Sequence, residues 1–115
     1  MDRLEYSNVV QKIINAHSSI SLENEIQESE YEEQLVIDPI GHHYLLMMVG
    51  WNGERRQYES LIHLDIKDGK IWIQSDGTEV GIANELVEAG VPPEDIVLGF
   101  KSPFKRQLMA NAIDS

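Results

Sequence analysis

Apolar residues near the N-terminus recur at the spacing of an amphipathic helix. Between residues 2 and 18 they fall three or four positions apart, which places them on one helical face. Asp2 and Glu5 lie in the first turn, where the helix dipole favours negative charge. The pattern predicts a helix over residues 2–18, and His17 falls on its apolar face. We interpret His17 as a hydrogen-bonded core histidine rather than a metal ligand.

An acidic segment follows this helix. Residues 21–33 contain six glutamates and few apolar side chains. We interpret the segment as a solvated connection that leads into an edge strand. The alternative is a docking segment that binds a basic partner.

From residue 31 to residue 75 the apolar period changes to two, which is the spacing of β-strands. Turn signals interrupt this pattern at residues 38–41, at Asn52-Gly53 and at Asp68-Gly69. Both Gly-containing pairs tolerate the positive φ angles of a tight hairpin turn. The pattern therefore predicts an antiparallel meander with strands at residues 34–37, 42–51, 54–67 and 70–75.

A second helix is predicted after the meander. Asp76 and Glu79 have the spacing of a capping box, and apolar residues then recur at helical spacing up to Gly90. We expect this helix over residues 79–89. Residues 96–98 form a short apolar segment that fits a last strand or an extended piece. The region from residue 99 to residue 115 fits either an extended arm or a short helix.

These elements together predict a single domain over residues 1–115 of the α+β class. We expect an antiparallel meander sheet of about four strands, with the N-terminal helix and the second helix packed on one face. A chain of this length has room for one hydrophobic core.

The two Gly turns also predict how the strands pair. A two-residue loop at Asp68-Gly69 pairs Ile66 with Ile71 and directs both towards the core. A two-residue loop at Asn52-Gly53 then pairs His43 with Ile62 on the same face. The opposite face is left with five apolar residues, which form a candidate interface: Tyr44, Leu46, Met48, Leu61 and Trp72.

Such an apolar surface is larger than a soluble monomer usually exposes. We expect a second copy of the chain to cover it, with Trp72 as the anchor residue. This surface therefore predicts a homodimer.

Charge and composition exclude several other classes of function. Nine Lys and Arg against twenty Asp and Glu give a net charge of −11, so we do not expect direct nucleic-acid binding. One basic cluster, Lys101, Lys105 and Arg106, is the only candidate for it in the sequence. The absence of cysteine excludes disulfides and thiolate chemistry. No apolar stretch reaches the roughly 20 residues of a membrane helix, so the predicted location is the cytoplasm.

Histidines and one aspartate are the candidates for chemistry in the predicted sheet. His63 and Asp65 lie two apart on one strand and form a speculative ligand site, which is a weak signal for acid–base catalysis. A metal site would require His42 beside His63, with Asp65 as the carboxylate. We expect polar or packing roles instead, and we assign no catalytic, metal-binding or cofactor-binding residue and no cofactor.

Four segments carry a resemblance to a known family: residues 50–56 (GWNGERR), 63–74 (HLDIKDGKIWIQ), 77–88 (GTEVGIANELVE) and 96–100 (IVLGF). Together with residues 102–106 (SPFKR), they resemble the cyanobacterial XisI family, which is named for control of excision of the fdxN element. Beyond Arg106 the sequence departs from the family's pattern.

The resemblance implies an accessory role in programmed DNA rearrangement, in the setting of heterocyst differentiation. It also implies a companion factor, XisH, as the first candidate partner, and it supplies no catalytic residues. The expected function is a non-enzymatic regulator that works through protein–protein contacts. The alternatives are a small enzyme or ligand-binding domain centred on His63 and Asp65, and direct DNA binding by the C-terminal basic cluster.

Overall fold

A computed structural model describes residues 3–24 and 30–114, and it describes side chains for residues 5–18 and 32–108. Its elements are α1 (Arg3–Asn24), β1 (Glu30–Asp38), β2 (His43–Asn52), β3 (Arg55–Lys67), β4 (Lys70–Asp76), α2 (Ile82–Glu88), β5 (Ile96–Leu98) and α3 (Pro103–Asp114). A short 3-10 turn at Pro93–Asp95 precedes β5. The predicted α+β class is confirmed.

The strands form one five-stranded sheet in chain order. The pairs from β1 to β4 are antiparallel, which confirms the predicted meander. β5 pairs with β4 in parallel and adds a fifth strand, and α2 supplies the crossover that a parallel pair requires. Residues 96–98 are thus an edge strand, and most of the region after them is helical in α3.

The hydrophobic core lies on one side of the sheet, which we call the core face. α1 and α2 both contribute buried side chains to it, as predicted. On α1, Ser7 Oγ lies 2.6 Å from the Tyr44 hydroxyl of β2, and Tyr6 donates a hydrogen bond to Asp95. The core consists of these buried apolar residues: Tyr6, Val10, Ile14, Tyr44, Leu46, Ile62, Leu64, Ile66, Ile71, Ile73, Ile82, Leu86 and Val91.

α1 is longer than its apolar stripe predicts, because it continues past residue 18 to Asn24. The acidic segment at residues 21–33 is therefore not a single connection. Its first part is helical, its last part belongs to β1, and residues 25–29 lie outside the described residues. His17 is half-buried, and its Nε2 lies 2.6 Å from Glu85 Oε2 of α2. This contact joins the two helices and fits the hydrogen-bonded role that the sequence predicts.

The predicted pairing of β3 with β4 is confirmed. Asp68 and Gly69 both have positive φ, and the ladder pairs Ile66 with Ile71 and Leu64 with Ile73. Because Asp-Gly fits a turn with two positive φ angles, the loop position and the strand register are fixed together.

The predicted pairing of β2 with β3 is wrong for two reasons. The turn lies at Gly53-Glu54, and Asn52 pairs with Arg55. Gly53 has a positive φ and Glu54 does not, which suits a type II′ turn with glycine first instead of a type I′ turn with two positive φ angles. An irregularity next to Leu46 then leaves Leu61 as an extra residue on β3. Leu46 therefore pairs with Ile62, and the even-numbered positions of β2 face the core.

α2 begins later than predicted, at Ile82 instead of residue 79. Asp76 nevertheless holds its start, because Asp76 Oδ2 accepts a hydrogen bond from the backbone N–H of Ile82 at 2.8 Å. Asp76 Oδ1 also accepts from the backbone N–H and the hydroxyl of Thr78. The aspartate organises the loop before the helix, and the predicted capping box with Glu79 is wrong.

Among the described helices, none combines the length and the hydrophobicity that a bilayer crossing requires.

Candidate functional site

Three polar side chains meet on the side of the sheet opposite the core, which we call the outer face. His43 Nδ1 lies 2.8 Å from Asp65 Oδ1, and His63 Nε2 lies 2.9 Å from the same oxygen. Gln74 Nε2 donates a hydrogen bond to Asp65 Oδ2 at 3.2 Å. We call His43, His63 and Asp65 the His-Asp cluster. Both carboxylate oxygens of Asp65 therefore have a polar partner within hydrogen-bond distance.

Strand pairing explains why these residues meet. His43 is the direct partner of Asp65 across β2 and β3, and His63 precedes Asp65 by two positions on β3. Directly paired residues and residues two apart on a strand share one face of a sheet. The cluster therefore lies in the middle of the sheet, between two strands that pair along most of their length.

His42 does not take the place that sequence reasoning gave it. It lies in the turn before β2 with a positive φ, and its Nδ1 is 3.2 Å from the Tyr44 hydroxyl. This contact with the buried Tyr44 places the side chain of His42 on the core side, whereas His43, the first residue of β2, faces the outer side. The predicted pairing of His42 with His63 is wrong, and His43 takes that position.

Electrostatics inside the cluster favour the ionised form of Asp65 and the protonated form of His43. Burial of the Asp65 carboxyl opposes ionisation, but hydrogen bonds from His43 and Gln74 and the charge of His63 outweigh it and lower the pKa of Asp65. The hydrogen bond from His43 to the Asp65 carboxylate raises the pKa of His43. The side chain of Asp65 is 16% exposed, against 30% for His63 and 55% for His43. A small solute can reach the histidines from solvent.

The outer face also carries apolar side chains, at the β1 side of the cluster. The odd-numbered residues of β2 lie there, and Val36 of β1 pairs with Leu45 while Tyr58 of β3 pairs with Val49. Tyr58 is 67% exposed and Val36 is 44% exposed. We call the following five residues the outer apolar surface: Val36, Leu45, Met47, Val49 and Tyr58.

The predicted apolar interface is therefore composed of the wrong residues. Tyr44 and Leu46 are fully buried on the core face, and Leu61 is the extra residue on β3 and packs against the core. Met48 alternates with Met47 and so points to the core side of β2. The register change moves the apolar positions of β2 by one residue, which inverts the faces.

Trp72 is the one residue of that predicted interface that lies on the outer face. It pairs with Asp65, and two cations lie close to its ring. Lys67 Nζ is 5.2 Å and the Arg106 guanidinium is 5.3 Å from the ring centroid. Arg106 belongs to α3, so the C-terminal helix begins over Trp72 and covers part of it. Trp72 is half-buried within the chain itself, which weakens its role as an anchor for a partner.

The C-terminal basic cluster is similarly occupied. Arg106 stacks on Trp72, and Lys101 Nζ lies 5.6 Å from the centroid of the Phe100 ring. Lys105 is exposed. Because Arg106 is half-buried against the sheet, the three cations do not present one open basic surface.

Sequence reasoning missed His43 and the three odd-numbered apolar residues of β2. The signal was weak, because both the odd-numbered and the even-numbered residues between 44 and 49 are apolar. Hydrophobic alternation therefore did not distinguish the two faces of the strand. Only the position of the turn and the extra residue on β3 decide which set faces outwards.

Comparison with known proteins identifies similar chains. A family model described as XisI protein matches residues 1–113. The crystal structure of a XisI-like protein from Anabaena variabilis has a TM-score of 0.82 at 43% identity, over 92% of this chain and 94% of that one. The fdxN element excision controlling factor XisI from Anabaena variabilis has a TM-score of 0.78 at 36% identity, over 92% and 93%. Among curated proteins, no sequence matches this chain.

Proposed function

Because the chain belongs to the XisI family, we propose that it is a regulatory factor in DNA-element excision that acts by binding another protein. One similar solved protein is named an excision controlling factor, which supports the role in excision. The first candidate partner is a XisH-like companion protein, as the family resemblance implies. In this proposal the chain contributes recognition and leaves any cleavage chemistry to its partners.

The outer apolar surface is the observation that carries this proposal. It combines half-buried aliphatic side chains in the centre with the exposed Tyr58 and Val36 at its sides. Trp51 continues it towards the β2–β3 turn, where Arg56 lies 5.3 Å from its ring centroid. Aromatic and aliphatic side chains with an arginine nearby are typical of the centre of a protein–protein interface.

Charge supports a protein partner over a nucleic acid. The chain carries a net charge of −11, and the exposed Glu32 pairs with Val49 at the edge of the outer apolar surface. A phosphate backbone would be repelled by this surface. A protein with an apolar patch and basic residues around it would be attracted.

The runner-up function is a ligand-binding or enzymatic role centred on His63 and Asp65. The observation in its favour is that both residues meet His43 in the His-Asp cluster. General acid–base chemistry needs such groups beside a substrate pocket. The cluster itself supplies groups that can bind a ligand, so this second function is proposed as ligand binding.

A charge placed on the outer apolar surface tests the proposal. Tyr58→Glu should abolish capture of a purified XisH-like companion and should change the free energy of unfolding by less than about 0.5 kcal/mol, since the side chain is mostly exposed. Val80→Glu is the matched control, because Val80 is equally exposed at 66% and lies in the loop before α2. It should leave capture unchanged.

Three measurements separate the competing outcomes. Light scattering after size-exclusion chromatography shows whether the wild type is a dimer and whether Tyr58→Glu dissociates it, which would assign the surface to a second copy. Equal capture by wild type and Tyr58→Glu would exclude this surface as the companion's docking site. Robust gel-shift binding of DNA at moderate salt, lost in Lys105→Gln, would overturn the argument from charge.

A further inference from the structure

We propose that the His-Asp cluster is a binding site for one divalent cation of the zinc type, independently of whether the outer apolar surface binds a partner. His43, His63 and Asp65 each offer one ligand atom, and these three atoms lie within 4.8 Å of one another. Two imidazole nitrogens and one carboxylate oxygen are a donor set that zinc accepts. The site would be made wholly from residues of β2 and β3.

The distances require only small adjustments to accommodate a cation. Zinc bonds to histidine nitrogen and carboxylate oxygen at about 2.0–2.2 Å, so tetrahedral donors are about 3.3 Å apart. The two nitrogens now lie 2.8 and 2.9 Å from Asp65 Oδ1. Each would move away from Oδ1 by a few tenths of an ångström, and the ligand atoms of the two histidines, which lie within 4.8 Å of each other, would turn towards the shared cation by side-chain rotation. The backbone of the paired strands can stay in place.

A second layer of contacts already orients the carboxylate. Gln74 donates a hydrogen bond to Asp65 Oδ2, which leaves Oδ1 directed towards the two histidines. Outer contacts of this kind set the direction of a ligand and strengthen metal binding. Gln74 is thus a positioning residue for the site and not itself a ligand.

The chemistry of the donors selects the class of cation. Calcium and magnesium prefer sites built from oxygen, whereas imidazole favours zinc and its neighbours in the first transition row. Three protein ligands leave a fourth position for water. His43 is the most exposed of the three, so a cation from solvent can enter on its side of the site.

The direct test is a titration of the untagged protein, cleared of metal with a chelator, with zinc chloride in a calorimeter. The wild type should bind one zinc per chain, and its melting temperature should rise with zinc concentration. Cobalt(II) should bind at the same site and develop the visible absorption of a tetrahedral complex. Magnesium chloride should produce neither heat of binding nor a change in melting temperature.

Single substitutions locate the site. His43→Gln and His63→Gln should each weaken zinc binding more than Gln74→Ala, for which the loss of an outer contact predicts about a 10- to 100-fold decrease in affinity. His42→Gln is the matched control, since His42 neighbours the cluster in sequence but faces the core side. Its zinc affinity should equal that of the wild type. Circular dichroism checks that each variant is folded.

Two results would overturn the proposal. One is a wild-type chain that shows no stoichiometric zinc binding and no visible cobalt spectrum. The other is zinc binding that both His43→Gln and His63→Gln retain at wild-type affinity, which would place the metal among surface carboxylates. Because the wild-type cobalt spectrum needs no variant, misfolding of one variant does not remove the test.

Discussion

The core face and the outer face of the same sheet are apolar to different degrees and are covered in different ways. On the core face, isoleucine and leucine side chains of β2, β3 and β4 are fully buried beneath α1 and α2. On the outer face, the His-Asp cluster divides the outer apolar surface from Trp72, and Arg106 of α3 stacks on Trp72. Parts of this face stay open, including Tyr58 and Val36.

This difference separates stability from recognition. Full burial of apolar side chains supplies most of the free energy of folding, and it leaves little freedom to change residues. The outer face contributes less to the folding free energy, so its residues can be selected for binding. The outer apolar surface and the His-Asp cluster both lie on this second face.

The largest expected effect comes from a cavity on the core face. Leu46→Ala should lower the free energy of unfolding by about 2–5 kcal/mol, because Leu46 is fully buried and the space cannot refill. Leu45→Ala, one residue away on the outer face, should cost about 1 kcal/mol, since Leu45 is only half-buried. Urea denaturation of both variants measures the contrast. Equal losses would contradict the assigned register.

A smaller effect is expected at the loop that docks α2 on the core face. Asp76→Ala should lower the free energy of unfolding by about 1–2 kcal/mol, because it removes the hydrogen bonds to Thr78 and Ile82. Glu79→Ala, on an exposed residue of the same loop, serves as the control and should be close to neutral. A neutral Asp76→Ala would show that α2 does not depend on this carboxylate.

The same carboxylate predicts a dependence on pH. Burial of Asp76 opposes ionisation, but the hydrogen bonds from Thr78 and Ile82 outweigh it and lower the pKa of Asp76 in the folded chain. Its contribution is therefore complete above the unfolded pKa and is lost as the pH falls through the folded pKa. Unfolding followed from about pH 7 to about pH 3 should show a shallower decline for Asp76→Asn than for wild type. Parallel declines would contradict this assignment.

The smallest effect is expected where α3 contacts the outer face. Arg106→Ala should lower the free energy of unfolding by about 0.5–1 kcal/mol, the usual value of a cation over an aromatic ring. Lys105→Ala is the control on the neighbouring exposed residue and should have no measurable effect. If Arg106→Ala were neutral and left the tryptophan fluorescence of the chain unchanged, the contact of α3 with the outer face would not exist in solution.

The sequence was sufficient where local chemistry and hydrophobic pattern agreed. Asp68-Gly69 specified a turn, and alternating isoleucines on either side of it specified which residues of β3 and β4 face inwards. The apolar stripe of α1 likewise faces the core, where Tyr6, Val10 and Ile14 are buried. Local chemistry alone was not sufficient, because Asn52-Gly53 also fits a tight turn and the turn lies one residue later.

Tertiary structure decided the rest, because the apolar run at residues 44–49 can bury either of its two faces. The position of the second turn at Gly53-Glu54 and the extra residue Leu61 on β3 choose between them, and neither has a strong local signature. That choice sends Leu46 into the core and brings His43 to Asp65. The sequence alone determined the class, the four strands of the meander and the acidic charge, while the pairing of two strands determined which side chains reach the outer face.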